Sequence, residues 1–202
     1  MWLSDLTLQL IGFRVLTLLF IVGVQGGILA TVVVFLGDKG PKYDNRLTII
    51  PFEHIDFVGA ISLILFGLGW AKPMAIDSQQ FRFSSVGIIV TILTGFVGLL
   101  VTAILLSKLI LLALTTLPFT MGLATAAFLR HASSLSIWFA LFSLIPIPPL
   151  TGGLLVSTIG LRIPKYTQWI LTAMIIVAVA TGVVDQLLNP AYLALTLLIL
   201  DK

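Results

Sequence analysis

Long runs of apolar residues, separated by short polar segments, organise this chain from end to end. A helix needs about 20 consecutive apolar residues to cross the hydrocarbon core of a bilayer. The run from Leu16 to Leu36 reaches that length, and Gln25 is the one polar side chain near its middle apart from threonines. The run from Val86 to Leu106 is equally clear. Both runs predict membrane-spanning helices.

Several other apolar runs are shorter or interrupted. Pro118 breaks one of them, and Asp185 ends another. The segment from Phe57 to Trp70 has only about 14 residues, which suits a re-entrant or partly buried piece better than a full crossing. Together the runs predict four to six membrane helices plus one re-entrant segment. The additional runs cover 109–129, 134–145, 169–184 and 192–200.

The polar segment 37–56, between the first span and the short apolar piece, is predicted to be an interfacial or aqueous loop. It contains half of the eight acidic residues, and its Gly-Pro and Asp-Asn pairs are typical of turns. Within it, "RLTII" at 46–50 is compatible with a short strand.

Composition fixes the class of protein. Only 9% of the residues are charged, whereas soluble domains carry about 25%. The chain is therefore predicted to be an all-α polytopic membrane protein with a single membrane domain over 1–202. The net charge of +3 comes from scattered basic residues, so no nucleic-acid surface is expected. The lack of cysteine excludes disulfides, iron–sulfur clusters and a cysteine nucleophile.

Three sequence blocks, in this order, resemble the site-2 protease family of intramembrane zinc metalloproteases, in particular its short bacterial branch with a Gly-Trp-Ala-Lys-Pro loop. The resemblance covers roughly residues 15–155 and leaves the C-terminal helices at about 165–200 outside it. It implies a site-2 protease-like core in a bacterial inner membrane. The blocks are "LGDKGPKYDNRLTIIPFEHIDFVGAI" (Leu36–Ile61), "FGLGWAKPMAID" (Phe66–Asp77) and "LFSLIPIPPLTGG" (Leu141–Gly153).

The family's catalytic chemistry requires residues that this chain lacks. In H-E-x-x-H, two histidines one helical turn apart hold zinc, and the glutamate acts as general base on the zinc-bound water. The resemblance places Gln25 and Leu29 at the two histidine positions and Gly26 at the glutamate position. Thr151 stands where the family has its third ligand, an aspartate. The resemblance therefore implies a frame without bound zinc, without another cofactor and without peptidase activity.

The two histidines of the chain do not suggest a replacement metal site. His54 and Asp56 match a His-x-Asp loop that the family carries outside its ligand set. His131 stands at a helix end far along the chain. We expect both histidines to be structural.

Small residues recur along the first span at helical spacing. Gly23, Gly27 and Thr31 follow one another every four residues, and Gly26 and Ala30 form a second row beside them. Such spacing lines up small side chains on one face and lets another helix approach closely. The pattern predicts a packing seam, although glycine is common in membrane helices for other reasons as well.

Gln25 is expected to find a polar partner, because an unpaired amide is costly in lipid. The family frame brings position 25 close to position 151. The sequence thus predicts a hydrogen bond from Gln25 to Thr151 or to a carbonyl of the turn at 148–152. Polar contacts between membrane helices contribute about 0.6 kcal/mol on average.

Other polar residues in or near the spans are expected at the membrane boundary. Trp70 and Lys72 are typical of interface anchors, with a partner contact as the alternative. Lys108 and Arg130 are expected to be cations at helix edges. Asp185 is expected to end a helix near the headgroups. A proton relay through Asp185 is the less favoured interpretation, because no other span carries an acidic residue.

The expected function is that of a catalytically inactive homologue, acting as a structural or accessory subunit of a larger membrane complex, for example a respiratory or photosynthetic one. Its partners would be other integral membrane proteins and the lipid bilayer. A regulatory adaptor that holds a partner's transmembrane segment without cleaving it is the main alternative. An active peptidase or a small transporter fits less well, because both need polar groups that the spans lack.

Overall fold

The structure, a computed structural model, describes residues 7–77, 80–82, 84–158 and 164–199. The ends of the expected domain, 1–6 and 200–202, lie outside them. This part of the chain is helical, with short 3-10 turns at Pro51–Glu53 and Thr151–Gly153. Its helices are α1 (Leu8–Leu36), α2 (Gly40–Tyr43), α3 (Phe57–Phe66), α4 (Ser84–Thr116), α5 (Phe119–Ser143), α6 (Leu154–Thr158), α7 (Lys165–Ala180) and α8 (Val183–Ile199).

The short strand expected at 46–50 does not form. Those residues follow an irregular path along α1, and the described residues contain no strand. The nearest approach to β-structure is an isolated antiparallel bridge between Ile55 and Ala71. The β-branched residues of "RLTII" face α1 and solvent instead of a pairing strand, which explains why composition alone was misleading.

Helices α1, α4 and α5 form the centre of the molecule. The chain turns back at Leu117 and Pro118, because proline has no N–H for a continuing helix. The hydroxyl of Ser133 on α5 then donates to the carbonyl of Ala103 on α4, 2.7 Å away, across this antiparallel pair. The central hydrophobic cluster draws on α1, α3, α4 and α5 and contains Leu18, Ile21, Val22, Leu63, Leu99, Leu135, Phe139 and Ala140.

Fewer helices qualify as membrane spans than the sequence suggested. By length and composition, α1 and α4 can each cross a bilayer, and α7 with α8 counts as a third crossing only as a pair bent by 69°. Helix α5 has 25 residues, but Arg130, His131 and several serines interrupt its apolar character. The expected four to six crossings were inferred from the number of apolar runs, whereas the described part of the chain contains two or three candidate spans. Helix α3, with ten residues, is too short to cross.

The C-terminal helix boundary also differs from the expected one. The chain breaks at Gly182, whose φ of 77° is in the left-handed region that glycine tolerates. Asp185, expected to end a helix, instead lies in the first turn of α8. That position suits a carboxylate, because the N-terminal end of a helix carries partial positive charge.

Asp38 fastens the end of α1 to the loop after α3. Its carboxylate accepts hydrogen bonds from the backbone N–H of Gly40 at 2.7 Å and of Asp77 at 2.9 Å. The side chain is 2% exposed, so water does not replace these donors easily. The Gly-Asp pair that follows the first span thus has a structural role.

Replacing Asp38 with alanine should destabilise the fold by about 1–3 kcal/mol, because two part-buried, charge-assisted hydrogen bonds are lost. Asp44→Ala removes the same charge from an exposed neighbour in this loop and should change stability by less than about 0.5 kcal/mol. Denaturant unfolding in detergent micelles measures both. Equal losses for the two variants would contradict the assigned role of Asp38.

Candidate functional site

The structure brings the middle of α1 and the proline-rich turn after α5 to one place. Gly26, Leu29 and Thr151, three of the four positions that the resemblance assigns to zinc chemistry, line a single small cavity. Its volume is about 30 Å³, room for one or two water molecules. Leu29 also belongs to a hydrophobic cluster and packs onto Gly95 of α4.

Gln25 does not make the predicted hydrogen bond. It is fully buried, and neither its amide nitrogen nor its carbonyl oxygen has a partner. Successive residues of a helix point about 100° apart. Gly26 faces the cavity that Thr151 also lines. Gln25 is one helical turn after Ile21 and is therefore on the side of α1 that faces the central hydrophobic cluster of α1, α3, α4 and α5. An unsatisfied buried amide costs about 1–3 kcal/mol.

The imidazole of His54 fills the space beside Gly26. A Cβ atom added at Gly26 would overlap the ring, so even alanine does not fit there without movement. His54 itself is fully buried. Position 26 is the one that the resemblance assigns to the catalytic glutamate, and a carboxylate side chain has no room there.

Both nitrogens of the His54 ring are engaged. Nε2 lies 2.8 Å from the carbonyl oxygen of Thr48 and donates to it, which leaves Nδ1 as an acceptor. Nη2 of Arg46 lies 3.5 Å from Nδ1 on the opposite side. These contacts define a neutral imidazole with its proton on Nε2.

Arg46 joins this histidine to the Gly-Trp-Ala-Lys-Pro loop. Its guanidinium donates to the carbonyl oxygens of Pro73 at 2.7 Å and Lys72 at 2.8 Å. The backbone N–H of Lys72 donates in turn to the carbonyl of His54 at 2.7 Å. Lys72 therefore contributes through its backbone while its side chain stays exposed. We call Arg46, His54 and Lys72 the loop clasp.

Trp70 lies in the core instead of at an interface. It is 3% exposed and packs in a cluster with Phe142, Leu150 and Val179. Gly59 of α3 makes this possible, because a Cβ there would overlap the backbone of Trp70. An amphipathic ring was expected at the headgroups, but the loop clasp draws the residue inward.

The residues at this site do not fit a zinc ion. Catalytic zinc is held by three protein ligands. The four positions that the resemblance assigns to zinc chemistry have the amide of Gln25, the hydroxyl of Thr151, the isobutyl group of Leu29 and, at Gly26, no side chain. His54 cannot substitute as a ligand, because Nε2 is protonated towards Thr48 and the cationic Arg46 faces Nδ1. Within the described ranges, no three histidine or acidic side chains come close enough to hold a metal.

The small-residue rows of α1 face a loop of the same chain, where the sequence pattern suggested a helix. Cβ atoms at Gly23 and Gly27 would meet the backbone at Thr48 and Ile49. Ala30, in the second row, is fully buried in a cluster with Leu29. The hydroxyl of Thr31 donates to the Gly27 carbonyl at 2.7 Å. Beside this row lies an open groove of about 430 Å³.

A larger groove opens next to the proline-rich turn. Its volume is about 460 Å³, and Asp56 stands among otherwise mostly apolar walls from α3, the turn and α7. Trp169 of α7 lines it and is 69% exposed. This groove is not evident from the sequence, because its walls come from segments that are distant in the chain. Its members include Val58, Trp70, Pro148, Leu150, Trp169 and Thr172.

Sequence reasoning also missed Arg46, the centre of the loop clasp. It is 7% exposed within a loop that composition describes as aqueous. No local pattern in the sequence singles it out. Its use could not be assigned until the path of 70–74 was known.

Comparison with known proteins gives one informative relative. The chain is 28% identical over 167 residues, 80% of its length and 76% of the relative's, to a protein of Bacillus subtilis (strain 168) named "Putative zinc metalloprotease YwhC". No protein-family model matches the chain, and no solved structure does. The relative's name agrees with the resemblance drawn from the three sequence blocks.

Gly26→Ala should destabilise the protein by about 1–3 kcal/mol, because the added methyl group displaces a ring held by hydrogen bonds on both sides. Gly12→Ala is the matched control in the same helix, since a Cβ there meets nothing within 4 Å. The control should be neutral or stabilise by up to about 1 kcal/mol through helix propensity. Thermal unfolding of both variants in one detergent makes the comparison; similar effects would refute the close packing.

The stability of the protein should fall as the pH drops below about 6.5, the ordinary pKa of histidine. Burial lowers the pKa of His54; Arg46 and Lys72 lower it further, while the Thr48 hydrogen bond and Glu53 act in the opposite direction. Below pH 6.5 the unfolded chain therefore binds a proton that the folded chain resists, so acid favours unfolding.

His54→Gln isolates this contribution. The variant should be less stable at pH 7.5, yet lose less stability than the parent between pH 7.5 and 5. Denaturant midpoints at several pH values measure both slopes. An unchanged slope in the variant would show that His54 does not titrate differently in the folded state.

Proposed function

We propose that this chain is a catalytically inactive relative of site-2 metalloproteases that serves as a structural or accessory subunit of a larger membrane protein complex, for example a respiratory or photosynthetic one. Its surroundings would be a bacterial inner membrane, and its partners other integral membrane proteins. The likeness to the Bacillus subtilis protein supports the metalloprotease-like frame. The candidate spans α1 and α4 support residence in a membrane.

The contact of His54 with Gly26 carries this proposal. In the family's mechanism that place belongs to the general base beside the metal. Here an uncharged imidazole, hydrogen-bonded through Nε2 and faced by Arg46 at Nδ1, takes the space. A peptidase would need both a metal-activated water and a base, and this arrangement offers neither.

The scaffold around the altered site argues for a retained non-catalytic role. The loop clasp, the bonds of Asp38 and the close packing of α1 on α4 are all intact. Much of the outer surface of α4 and α5 is apolar and exposed, including Leu105, Leu111 and Phe119. In a bilayer such surfaces meet lipid or other membrane helices.

A regulatory adaptor is the second candidate, and the groove beside the proline-rich turn favours it. A volume of about 460 Å³ accommodates a few side chains of a partner helix, and most walls of the groove are apolar. Trp169 would supply an aromatic contact of the kind that dominates binding energies at interfaces. In this alternative, a partner's transmembrane segment is held there without being cleaved.

Protein purified from its native membrane in mild detergent should contain far less than one zinc per chain and should co-purify with a fixed set of membrane proteins. Elemental analysis and mass spectrometry measure the two. Stoichiometric zinc, or cleavage of a single-span substrate that Thr151→Ala abolishes, would overturn the assignment. Recovery as a lone monomer in several detergents would argue against a subunit.

A variant of the groove beside the proline-rich turn distinguishes the subunit role from the adaptor role. Trp169→Ala should reduce co-purification of a partner held in the groove, whereas Tyr166→Ala should not. Both residues are on α7 and 69% exposed, but only Trp169 lines the groove. Equal retention of all partners by both variants would remove the adaptor from consideration.

A further inference from the structure

Lys108 and Arg130, which the sequence placed at helix edges, lie instead within α4 and α5 and line one cavity. Lys108 of α4 and Arg130 of α5 lie on the walls of a space of about 560 Å³ between α4, α5 and α8. That size is within the range of small-molecule sites in proteins, about 300–1,000 Å³. The proposed subunit role does not use this cavity, which lies near the α4–α5 turn, away from the loop clasp.

The helix register places the two cations at the same level. The hydrogen bond from Ser133 to Ala103 fixes the antiparallel α4–α5 pair. At 1.5 Å per residue, Lys108 lies about 7.5 Å and Arg130 about 4.5 Å beyond that bond, both towards the turn. Their positive charges can therefore act on one ligand.

No acidic side chain lines this cavity, and in the described part of the chain neither cation makes an ion pair or hydrogen bond. Asp185 lines a separate cavity of about 140 Å³ with Arg14 and His131. Unpaired cations beside membrane helices are costly, so an anionic ligand would lower the energy of the protein. This situation differs from that of Arg14, which donates to the carbonyls at the end of α3.

Hydroxyl groups supply the remaining polar lining. Ser107 and Ser134 line the cavity, and the Ser134 and Tyr192 hydroxyls lie 2.5 Å apart. The buried hydroxyl of Thr196 has no partner and is therefore available to a ligand oxygen. Arginine, lysine and hydroxyl donors together are the usual ligands of phosphate groups.

The rest of the wall is aliphatic. It consists of Ile110, Leu111 and Leu114 from α4 and Ile199 from α8. Leu111 is 69% exposed and Leu114 46%, so the apolar wall continues onto the outer surface of the helix pair. A free phosphate ion would gain nothing from this surface, whereas an acyl chain would lie along it.

The geometry points to a binding site for an anionic phospholipid, whose phosphate lies between Lys108 and Arg130 and whose acyl chain follows the aliphatic wall of α4. Basic pockets between membrane helices bind anionic headgroups in this way. A lipid with a net negative headgroup fits better than a zwitterionic one, because the cavity presents two positive charges and no carboxylate.

The full chain in mild detergent is titrated with phosphatidylglycerol, and native mass spectrometry counts the bound lipid. The double variant Lys108→Gln, Arg130→Gln should bind about ten-fold more weakly or worse, because each basic residue near an anionic lipid contributes several-fold. The matched control Lys39→Gln, Lys42→Gln makes the same charge change at exposed lysines and should stay within two-fold of the parent. Equal weakening in both would overturn the site.

Three further arms complete the test. The swap Lys108→Arg, Arg130→Lys keeps both charges and should retain binding; its loss with an intact fold would contradict a phosphate site. Phosphatidylcholine should bind much more weakly than phosphatidylglycerol, and equal binding would refute the charge argument. Inorganic phosphate in excess should not displace the lipid; full displacement would assign the site to free phosphate and overturn the lipid proposal.

Discussion

The contact between the His54 ring and the bare backbone of Gly26 is the constraint on which the candidate site depends. It requires glycine at position 26, it holds the ring towards the Thr48 carbonyl, and it leaves Nδ1 facing Arg46. Arg46 then fixes the loop that contains Lys72. The missing side chain at Gly26 thus lets His54, and through it the loop that contains Arg46 and Lys72, pack closely against α1.

The packing around α1 leaves one buried polar side chain, that of Gln25, without a hydrogen-bond partner. Its amide is fully buried without a partner, a cost of about 1–3 kcal/mol that the surrounding apolar contacts of Ile21 and Val22 must offset. Departures of this kind from the usual pairing of buried polar groups are expected at functional or strained positions. In the proposed descent from a metalloprotease frame, position 25 is a ligand position whose partners have gone.

The sequence was sufficient for local features and insufficient for contacts between distant segments. Span length located α1 and α4, and Pro118 located the break before α5, because each is decided by neighbouring residues. The break at Gly182 was missed, since Asp185 resembles a helix end while glycine in a membrane helix is unremarkable. The positions that the resemblance assigns to the zinc motif were visible in the sequence. What fills them was not, because the place of His54 depends on how the whole loop folds over α1.

Four basic residues form two pairs that differ in their hydrogen-bond partners. Arg14 and Arg46 are buried, and backbone carbonyls of other segments accept their hydrogen bonds; these cations hold the protein's own chain. Lys108 and Arg130 are exposed, and no acidic residue is among the described residues that line the cavity they share. An unmet charge near lipid is costly, so the proposed anionic ligand would stabilise this second pair from outside the chain. The candidate site around Gly26 is thus held by hydrogen bonds within the chain, whereas the proposed lipid site lies near the α4–α5 turn.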